Sequence, residues 1–314
     1  MRIKVLDGAT LGGDVTFAPL ESVGSVTVYE NTDLISNPSA ASDADCLIVN
    51  KVKMNSETLK DANDLKIICV AATGFDNIDL DFCRERNIAV CNVKGYSTDS
   101  VAQTTLAMVL SLATHIPEYN AFVASGDYSI SGVANKLVPV YHELAGKTWG
   151  VVGLGNIGKK VAKVAEAIGC NVIAHKRIPE EGYNCVDVDT LCEISDVITI
   201  HTPLNEGTRN LINADRIARM KPGAIVVNVA RGAVCDEAAL AKAAKEKKIL
   251  LGVDVYSKEP FPEDHPFAEI AGLANVCLTP HMAWGASEAR NRCIEEIAEN
   301  IRCFKINEKR NRLV

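Results

Sequence analysis

Positive charge is in short supply: 33 Lys and Arg face 40 Asp and Glu, giving a formal net charge of -7 and a pI near 5.5. No basic field is available to hold a polyanion, so nucleic acid and anionic membranes are poor partners and a small molecule is expected instead. Long apolar runs are missing as well. No stretch approaches the length of a membrane span, and the opening Met1-Arg2-Ile3-Lys4-Val5-Leu6-Asp7 is too short an apolar run for a signal peptide. A soluble, unexported protein is expected. Paired cysteine motifs are also absent, because the 11 cysteines, scattered from Cys46 to Cys303, contain no CxxC. That excludes a disulfide framework and a zinc-ligand pattern, so no metal site is expected and the thiols read as reduced, mostly buried residues of a cytoplasmic protein. Internal repeats and low-complexity tracts are lacking too.

What is present is ordinary globular material, 314 residues with 47% hydrophobic and 23% charged, long enough for two domains of moderate size. Short β-branched runs recur at Ile3 to Leu6, Val26 to Tyr29, Cys46 to Val49, Ile67 to Val70 and Ile88 to Cys91, with helix-compatible stretches such as Glu57 to Ala62 and Leu80 to Arg86 between some of them. Strands buried on both faces and alternating with helices predict a parallel, doubly wound sheet. A helical pattern follows from Ser100 to Leu112. The stretch Ile116 to Gly146, with Pro117, Gly126, Gly132 and Pro139, reads as an irregular connector or arm. Six further strand candidates then appear, Thr148 to Val152, Asn171 to Ala174, Val197 to His201, Ala224 to Val229, Ile249 to Val253 and Val276 to Leu278, as a dinucleotide-binding domain requires. Finally, Ser287 to Phe304 predicts a helix whose apolar face, Cys293, Ile294, Ile297, Ala298, Ile301 and Phe304, must be buried.

The sharpest local feature is Gly153-Leu154-Gly155-Asn156-Ile157-Gly158, placed between the strand ending at Val152 and a helix over Lys159 to Ile168. The three glycines allow a tight turn, close backbone approach to a pyrophosphate, and close packing of helix on strand. The helix start then offers amide donors and the positive end of its dipole. A bare GxGxxG can be a structural turn, but the strand-turn-helix-strand setting points to a bound dinucleotide.

Dinucleotide folds normally carry Asp or Glu at the end of the second strand, where it accepts hydrogen bonds from the ribose 2′-hydroxyl. Here that stretch reads Ala174-His175-Lys176-Arg177, with Lys176 eighteen residues beyond Gly158 and no carboxylate in place. A Lys-Arg pair suits a 2′-phosphate, so NAD(P) with NADP(H) favoured is the expected cofactor. The competing reading is a pair of solvated surface cations.

Three polar positions sit just beyond the later strands: Arg231 in Val229-Ala230-Arg231-Gly232, Glu259 in Tyr256-Ser257-Lys258-Glu259-Pro260, and His281 in Thr279-Pro280-His281. In doubly wound sheets ligands bind outside the carboxyl ends of strands. Their types suit carbonyl reduction: a protonated His gives a proton to the carbonyl oxygen as hydride arrives, a Glu holds the imidazolium, and an Arg grips a substrate carboxylate. Singly, each has a bland reading as surface cation, loop acid or capped turn, and Asp254 reads equally well as a strand-end capping acid. Their coexistence downstream of the glycine turn carries the argument.

With Thr73-Gly74-Phe75-Asp76-Asn77-Ile78-Asp79, the Val101-Ala102 helix start, the glycine turn, Val227-Asn228-Val229-Ala230-Arg231-Gly232, Gly252-Val253-Asp254-Val255 and Thr279-Pro280-His281 added together, the whole chain resembles the D-isomer-specific 2-hydroxyacid dehydrogenases. Gly95-Tyr96-Ser97-Thr98-Asp99 and His281-Met282-Ala283-Trp284 resemble the glycerate dehydrogenase (hydroxypyruvate reductase) branch. The resemblance implies an α/β fold of two doubly wound parallel-sheet domains, with a Rossmann cofactor domain (97–285) inserted into a flavodoxin-like substrate domain (1–96 and 286–314). It implies that Arg231, Glu259 and His281 are catalytic and that Lys51, Thr73, Gly74, Arg231 and Trp284 meet the substrate. For Lys51 and Trp284, a solvated cation and a packed aromatic are the competing readings. It further implies that Thr105, Gly153, Gly155, Asn156, Ile157, Gly158, Thr202, Pro203, Val229, Ala230, Arg231, Asp254 and His281 meet the cofactor, whereas His175, Lys176 and Arg177, assigned to the cofactor by charge and position, depart from the family pattern. A homodimer through the cofactor domain is implied, embraced by the arm Ile116 to Gly146. The expected reaction is reduction of a small 2-oxo acid, hydroxypyruvate first, with glyoxylate, phenylpyruvate or phosphohydroxypyruvate as alternatives. A nucleotide-sensing interaction protein is the reading from another class.

Overall fold

Two compact units make up the chain in the computed structural model, which describes residues 1–314: Met1–Ser97 with Trp284–Val314, and Thr98–Ala283. In the first, strands β1 (Arg2–Val5), β2 (Ser25–Val28), β3 (Cys46–Val49), β4 (Ile67–Val70) and β5 (Ala89–Cys91) form a parallel sheet in the order β2-β1-β3-β4-β5. Helices α1 (Ala18–Glu21), α2 (Ser39–Ser42) and α3 (Leu80–Glu85) lie between strands. The central strands read as unbroken apolar runs because both faces are covered: in β3, Cys46 and Ile48 join one buried cluster while Leu47 and Val49 join another. The first cluster contains Cys293, Ile294, Ile297, Ala298 and Ile301 of the terminal helix, Ser287–Lys305, with Phe304 packed at its margin. Its predicted apolar face is thus buried within this unit.

Two expectations fail here. Glu57 to Ala62 forms turns rather than a helix, because Asn55 Oδ1 accepts from the backbone N–H groups of Glu57 and Thr58 while Thr58 Oγ1 accepts from Asn55 N, a local cap with no helix behind it. The strand at Ser25–Val28 is largely exposed rather than covered on both faces, since it lies at the sheet edge.

The second unit opens with α4 (Thr98–Thr114), α5 (Ile116–Ala124) and α6 (Asp127–Ile130). The expected irregular arm is therefore helical in its first half. Pro117 falls in the first turn of α5, where a missing N–H costs nothing, and Gly126 and Gly132, at φ +86° and +69°, mark the breaks beyond it. Ser131 to Gly146 has no regular element and leaves Leu137, Val138 and Val140 exposed.

Strands β6 (Thr148–Val152), β7 (Asn171–His175), β8 (Val197–Ile200), β9 (Ala224–Asn228), β10 (Ile249–Val253) and β11 (Val276–Leu278) are all parallel, in the order β11-β10-β9-β8-β6-β7. A single-residue bridge, Ala174 to Cys185, adds a vestigial strand beyond β7. Counting it, the sheet has the doubly wound dinucleotide-binding order, with the switch point between β6 and β8. Helices α7 (Asn156–Ala167), α8 (Val188–Ile194), α9 (Ala214–Arg219) and α10 (Glu237–Lys245) connect these strands, so the terminal helix is α11. All eleven thiols are free and nine are buried, Cys185 and Cys277 being half-buried. No helix is long and apolar enough to cross a membrane.

Candidate active site

The glycine turn stands at the switch point of the second sheet. Gly153, at φ +98°, has no room for a side chain, since a Cβ there would lie 2.9 Å from the His201 carbonyl beyond β8. Gly158 is equally closed, its Cβ falling 2.0 Å from the carbonyl oxygen of Gly153, so the third glycine lets α7 pack onto the turn. Gly155 differs: a Cβ there would meet nothing within 4 Å. Between two glycines that pack the turn shut, one faces open space at the N-terminus of a twelve-residue helix, as a cradle for a pyrophosphate requires. Beside it, both ring nitrogens of His201 are sealed from solvent without a hydrogen-bond partner, although the residue as a whole is only half-buried, and burial lowers its pKa to about 3. The residues present therefore fit a bound dinucleotide. Asn156 and Pro203 are exposed around the turn, and Ile157 and Thr202 half-buried. Thr105 is not brought to this surface; it is fully buried in α4 and its hydroxyl donates to Val101 O at 2.7 Å.

At the end of β7 the sequence shows no carboxylate, but the fold supplies one. Glu180, four residues beyond Lys176, turns back so that its two oxygens pair with Lys176 and with Lys159 of α7. Lys159 first and Lys176 second hold its pKa below the ordinary carboxylate value. His175 Nδ1 lies 3.2 Å from Val186 O, and Arg177 is exposed.

The catalytic candidates come together because β9, β10 and β11 are parallel neighbours, so the segments beyond them emerge at one edge. His281 Nδ1 lies 2.6 Å from Glu259 Oε2, while Glu259 Oε1 accepts from Tyr256 N at 2.9 Å. The carboxylate takes the Nδ1 side of the ring, leaving Nε2 as the nitrogen that can exchange a proton. His281 has φ +51°, and its backbone N–H donates to Asp254 O at 2.8 Å. The buried Asp254 carboxylate accepts from Thr279 Oγ1 at 2.6 Å, Met282 N at 2.8 Å and Ala283 N at 3.0 Å. Burial raises its pKa and those hydrogen bonds oppose the rise. The capping reading of Asp254 is thus visible in the fold.

Arg231 is half-buried, with Nη1 2.8 Å from Ala230 O. Its turn is held by the buried Asn228, whose Nδ2 donates to Arg231 O at 2.9 Å and whose Oδ1 accepts from Ala230 N at 3.0 Å. Asn228 stands three residues ahead of Arg231, where nothing in the sequence marks this role. Val229 and Ala230 are buried beside it.

The first unit holds the remaining candidates. Lys51 is exposed, on a loop fixed by the buried Asp7, whose carboxylate accepts from the backbone of Asn50, Lys51 and Val52 at 2.6–3.2 Å. Nothing local in the sequence signals this, as Asp7 lies more than forty residues away. Thr73 Oγ1 donates to Val93 O at 2.8 Å, which fixes the Thr73-Gly74 turn. Trp284 packs edge-on against Tyr96 with ring centroids 6.4 Å apart, so its packed-aromatic reading is realised.

Comparison with known proteins agrees with this geometry. The family described as D-isomer specific 2-hydroxyacid dehydrogenase, NAD binding domain, matches residues 106–283. The chain is 37% identical over 269 residues to a glycerate dehydrogenase of Methylorubrum extorquens, covering 85% of each chain. It is 34% identical to a hydroxypyruvate reductase of Blautia hydrogenotrophica, covering 97% of each. Among solved structures, a D-lactate dehydrogenase from Aquifex aeolicus complexed with NAD and lactic acid superposes with a TM-score of 0.85 at 28% identity, covering 98% of this chain and 96% of that one.

Proposed function

The chain belongs to the D-isomer-specific 2-hydroxyacid dehydrogenases, and on that premise we propose that it reduces hydroxypyruvate to D-glycerate, with NADPH preferred over NADH. The observation that carries this reading is the Glu259–His281 pair, at 2.6 Å, on the same sheet edge as Arg231 and in the same unit as the glycine turn. A nicotinamide cofactor bound there would supply a hydride to C2 of the 2-oxo acid. Arg231 grips the substrate carboxylate and polarises the adjacent carbonyl. His281, its ring held through Nδ1 by Glu259, gives the Nε2 proton to the carbonyl oxygen as the alcohol forms, and takes it back in the reverse direction. The turn Gly153 to Gly158 would receive the pyrophosphate at the start of α7, where Gly155 leaves open space. Lys51, Thr73, Gly74 and Trp284 remain assigned to the substrate on the family resemblance alone.

The NADP(H) preference rests on Lys176, Arg177 and, added by the fold, Lys159, three cations grouped at the end of β7. A 2′-phosphate would take the place of the Glu180 carboxylate between the two lysines. Exposed Ile130, Leu137, Val138 and Val140 support a homodimer through the arm of the second unit, and eleven unpaired thiols support a reducing cytoplasm.

The test is oxidation of NADPH or NADH by the purified protein with hydroxypyruvate, glyoxylate, phenylpyruvate and phosphohydroxypyruvate, followed by the loss of reduced-nicotinamide absorbance. Hydroxypyruvate should give the highest kcat/KM, and His281→Ala should lower kcat by about 10²–10⁴-fold. No oxidation with any acid overturns the reaction, and undiminished turnover by His281→Ala overturns the mechanism.

A further inference from the structure

We infer that Glu237 and His265, which touch none of the candidate catalytic groups, form a bracket that positions Glu259 for its contact with His281. The inference rests on the proposed roles of Glu259 and His281. Residues Ser257 to Pro260 are exposed and belong to no regular element, so an unassisted loop here would sample many conformations and carry Glu259 with it. One point fixes the loop from below. The Glu237 side chain, only 11% exposed, accepts from Ser257 N at 2.9 Å through Oε1 and from the Ser257 hydroxyl through Oε2.

Glu237 is itself anchored twice. It is the first residue of α10, whose Leu240, Ala241, Ala243 and Ala244 are buried in the second unit's core. His265, 6% exposed, lies with Nε2 3.2 Å from Glu237 Oε2 and with Nδ1 accepting from Phe267 N at 3.2 Å. Because Nδ1 accepts, the ring proton is on Nε2 and is donated to the carboxylate. Phe261, Phe267 and Tyr256 surround the imidazole at centroid distances of 5.0, 5.2 and 6.2 Å.

From this anchor the connections run to both partners of the catalytic pair. Tyr256, next to Ser257, donates its backbone N–H to Glu259 Oε1 at 2.9 Å and its hydroxyl to Thr279 O at 2.9 Å, two residues before His281. Gly232, directly after Arg231, closes the other side: a Cβ there would fall 2.1 Å from Ser257 N and 2.7 Å from Glu237 Oε1. The loop is therefore clamped between the Arg231 turn and the Glu237–His265 pair, and Glu259 inherits its place from that clamp.

A double-variant cycle tests this. Misplacing a catalytic group by about an ångström can cost on the order of 100-fold in rate, so Glu237→Ala should lower kcat by about 10–100-fold while KM for NADPH stays within about twofold. In Glu259→Gln the positioned group is already lost, so adding Glu237→Ala should lower kcat by no more than about twofold further. Ser257→Ala, at an exposed position, runs the same cycle should Glu237→Ala fail to fold. Losses that multiply in the double variant mark a merely structural role and overturn the bracket, as does wild-type kcat in both Glu237→Ala and Ser257→Ala. A Glu259→Gln enzyme with wild-type kcat overturns the assignment of Glu259 itself, and the bracket with it.

Discussion

Replacing Gly155 and Gly158 by alanine, one at a time, separates cofactor binding from folding. Gly155 has extended backbone, φ -80° and ψ -168°, and a Cβ there meets nothing within 4 Å. In Gly155→Ala the weaker N-cap and the reduced entropy of the unfolded chain oppose each other, each by about 1 kcal/mol or less. The Tm without cofactor should therefore move by no more than about 3 °C. The same methyl stands where the pyrophosphate comes onto the helix amides, and overpacking of that kind costs about 1–3 kcal/mol, or roughly 5–150-fold in Kd for NADPH. Gly158→Ala behaves otherwise, because its Cβ would lie 2.0 Å from the Gly153 carbonyl oxygen, and backbone cannot rotate aside. The helix and the turn must separate, costing about 1–3 kcal/mol of stability, or roughly 3–10 °C in Tm for a unit of this size. Thermal unfolding without cofactor and fluorescence titration with NADPH measure both quantities. Wild-type Kd in Gly155→Ala would refute the pyrophosphate seat. A Gly155→Ala protein as destabilised as Gly158→Ala would refute the packing argument.

Glu180→Gln removes the carboxylate that Lys176 and Lys159 share, so the ratio of kcat/KM for NADPH to that for NADH should rise severalfold; an unchanged or lower ratio counts against a 2′-phosphate between the two lysines. His201 is held by burial to a pKa of about 3, below the ordinary 6.5, so the unfolded chain binds a proton across that window and the folded chain does not. Stability should then be fully present above the unfolded value and fall as pH drops, by about 1.4 kcal/mol per pH unit at most. His201→Leu should flatten that part of the Tm-against-pH curve, and a curve parallel to wild type would show that His201 is not its source.

Much of the fold was legible because parallel sheets buried on both faces leave continuous apolar runs. Strands β3, β4, β6, β10 and β11 begin and end where those runs do. Residue type and position beyond a strand likewise brought Arg231, Glu259 and His281 into view, since neighbouring parallel strands deliver the segments beyond their carboxyl ends to one edge. The features that stayed hidden depend on the path of loops. Glu180 reaches Lys159 only because the segment after β7 turns back, and a search for an acid at the strand end misses it. The His265–Glu237 contact spans 28 residues, and the Asp7 bonds to Asn50, Lys51 and Val52 span more than forty. Periodicity carries no information about such pairs. The helices α5 and α6 were obscured differently, by prolines and glycines that lie at their ends but look from the sequence like breaks within a loop.

The two carboxylates near His281 divide the work of holding it. Asp254 is buried, and its carboxylate and carbonyl together take four hydrogen bonds from Thr279, His281, Met282 and Ala283. It grips the backbone. That grip accounts for a non-glycine residue at φ +51°, a conformation that persists only where the surroundings over-determine it. Glu259 is exposed and holds the ring instead, through its contact at Nδ1. Alignment of the imidazole thus depends on two supports of different stiffness. The backbone support is rooted in the end of β10, whereas the ring support stands on a surface loop that would wander without Glu237 and His265 beneath it.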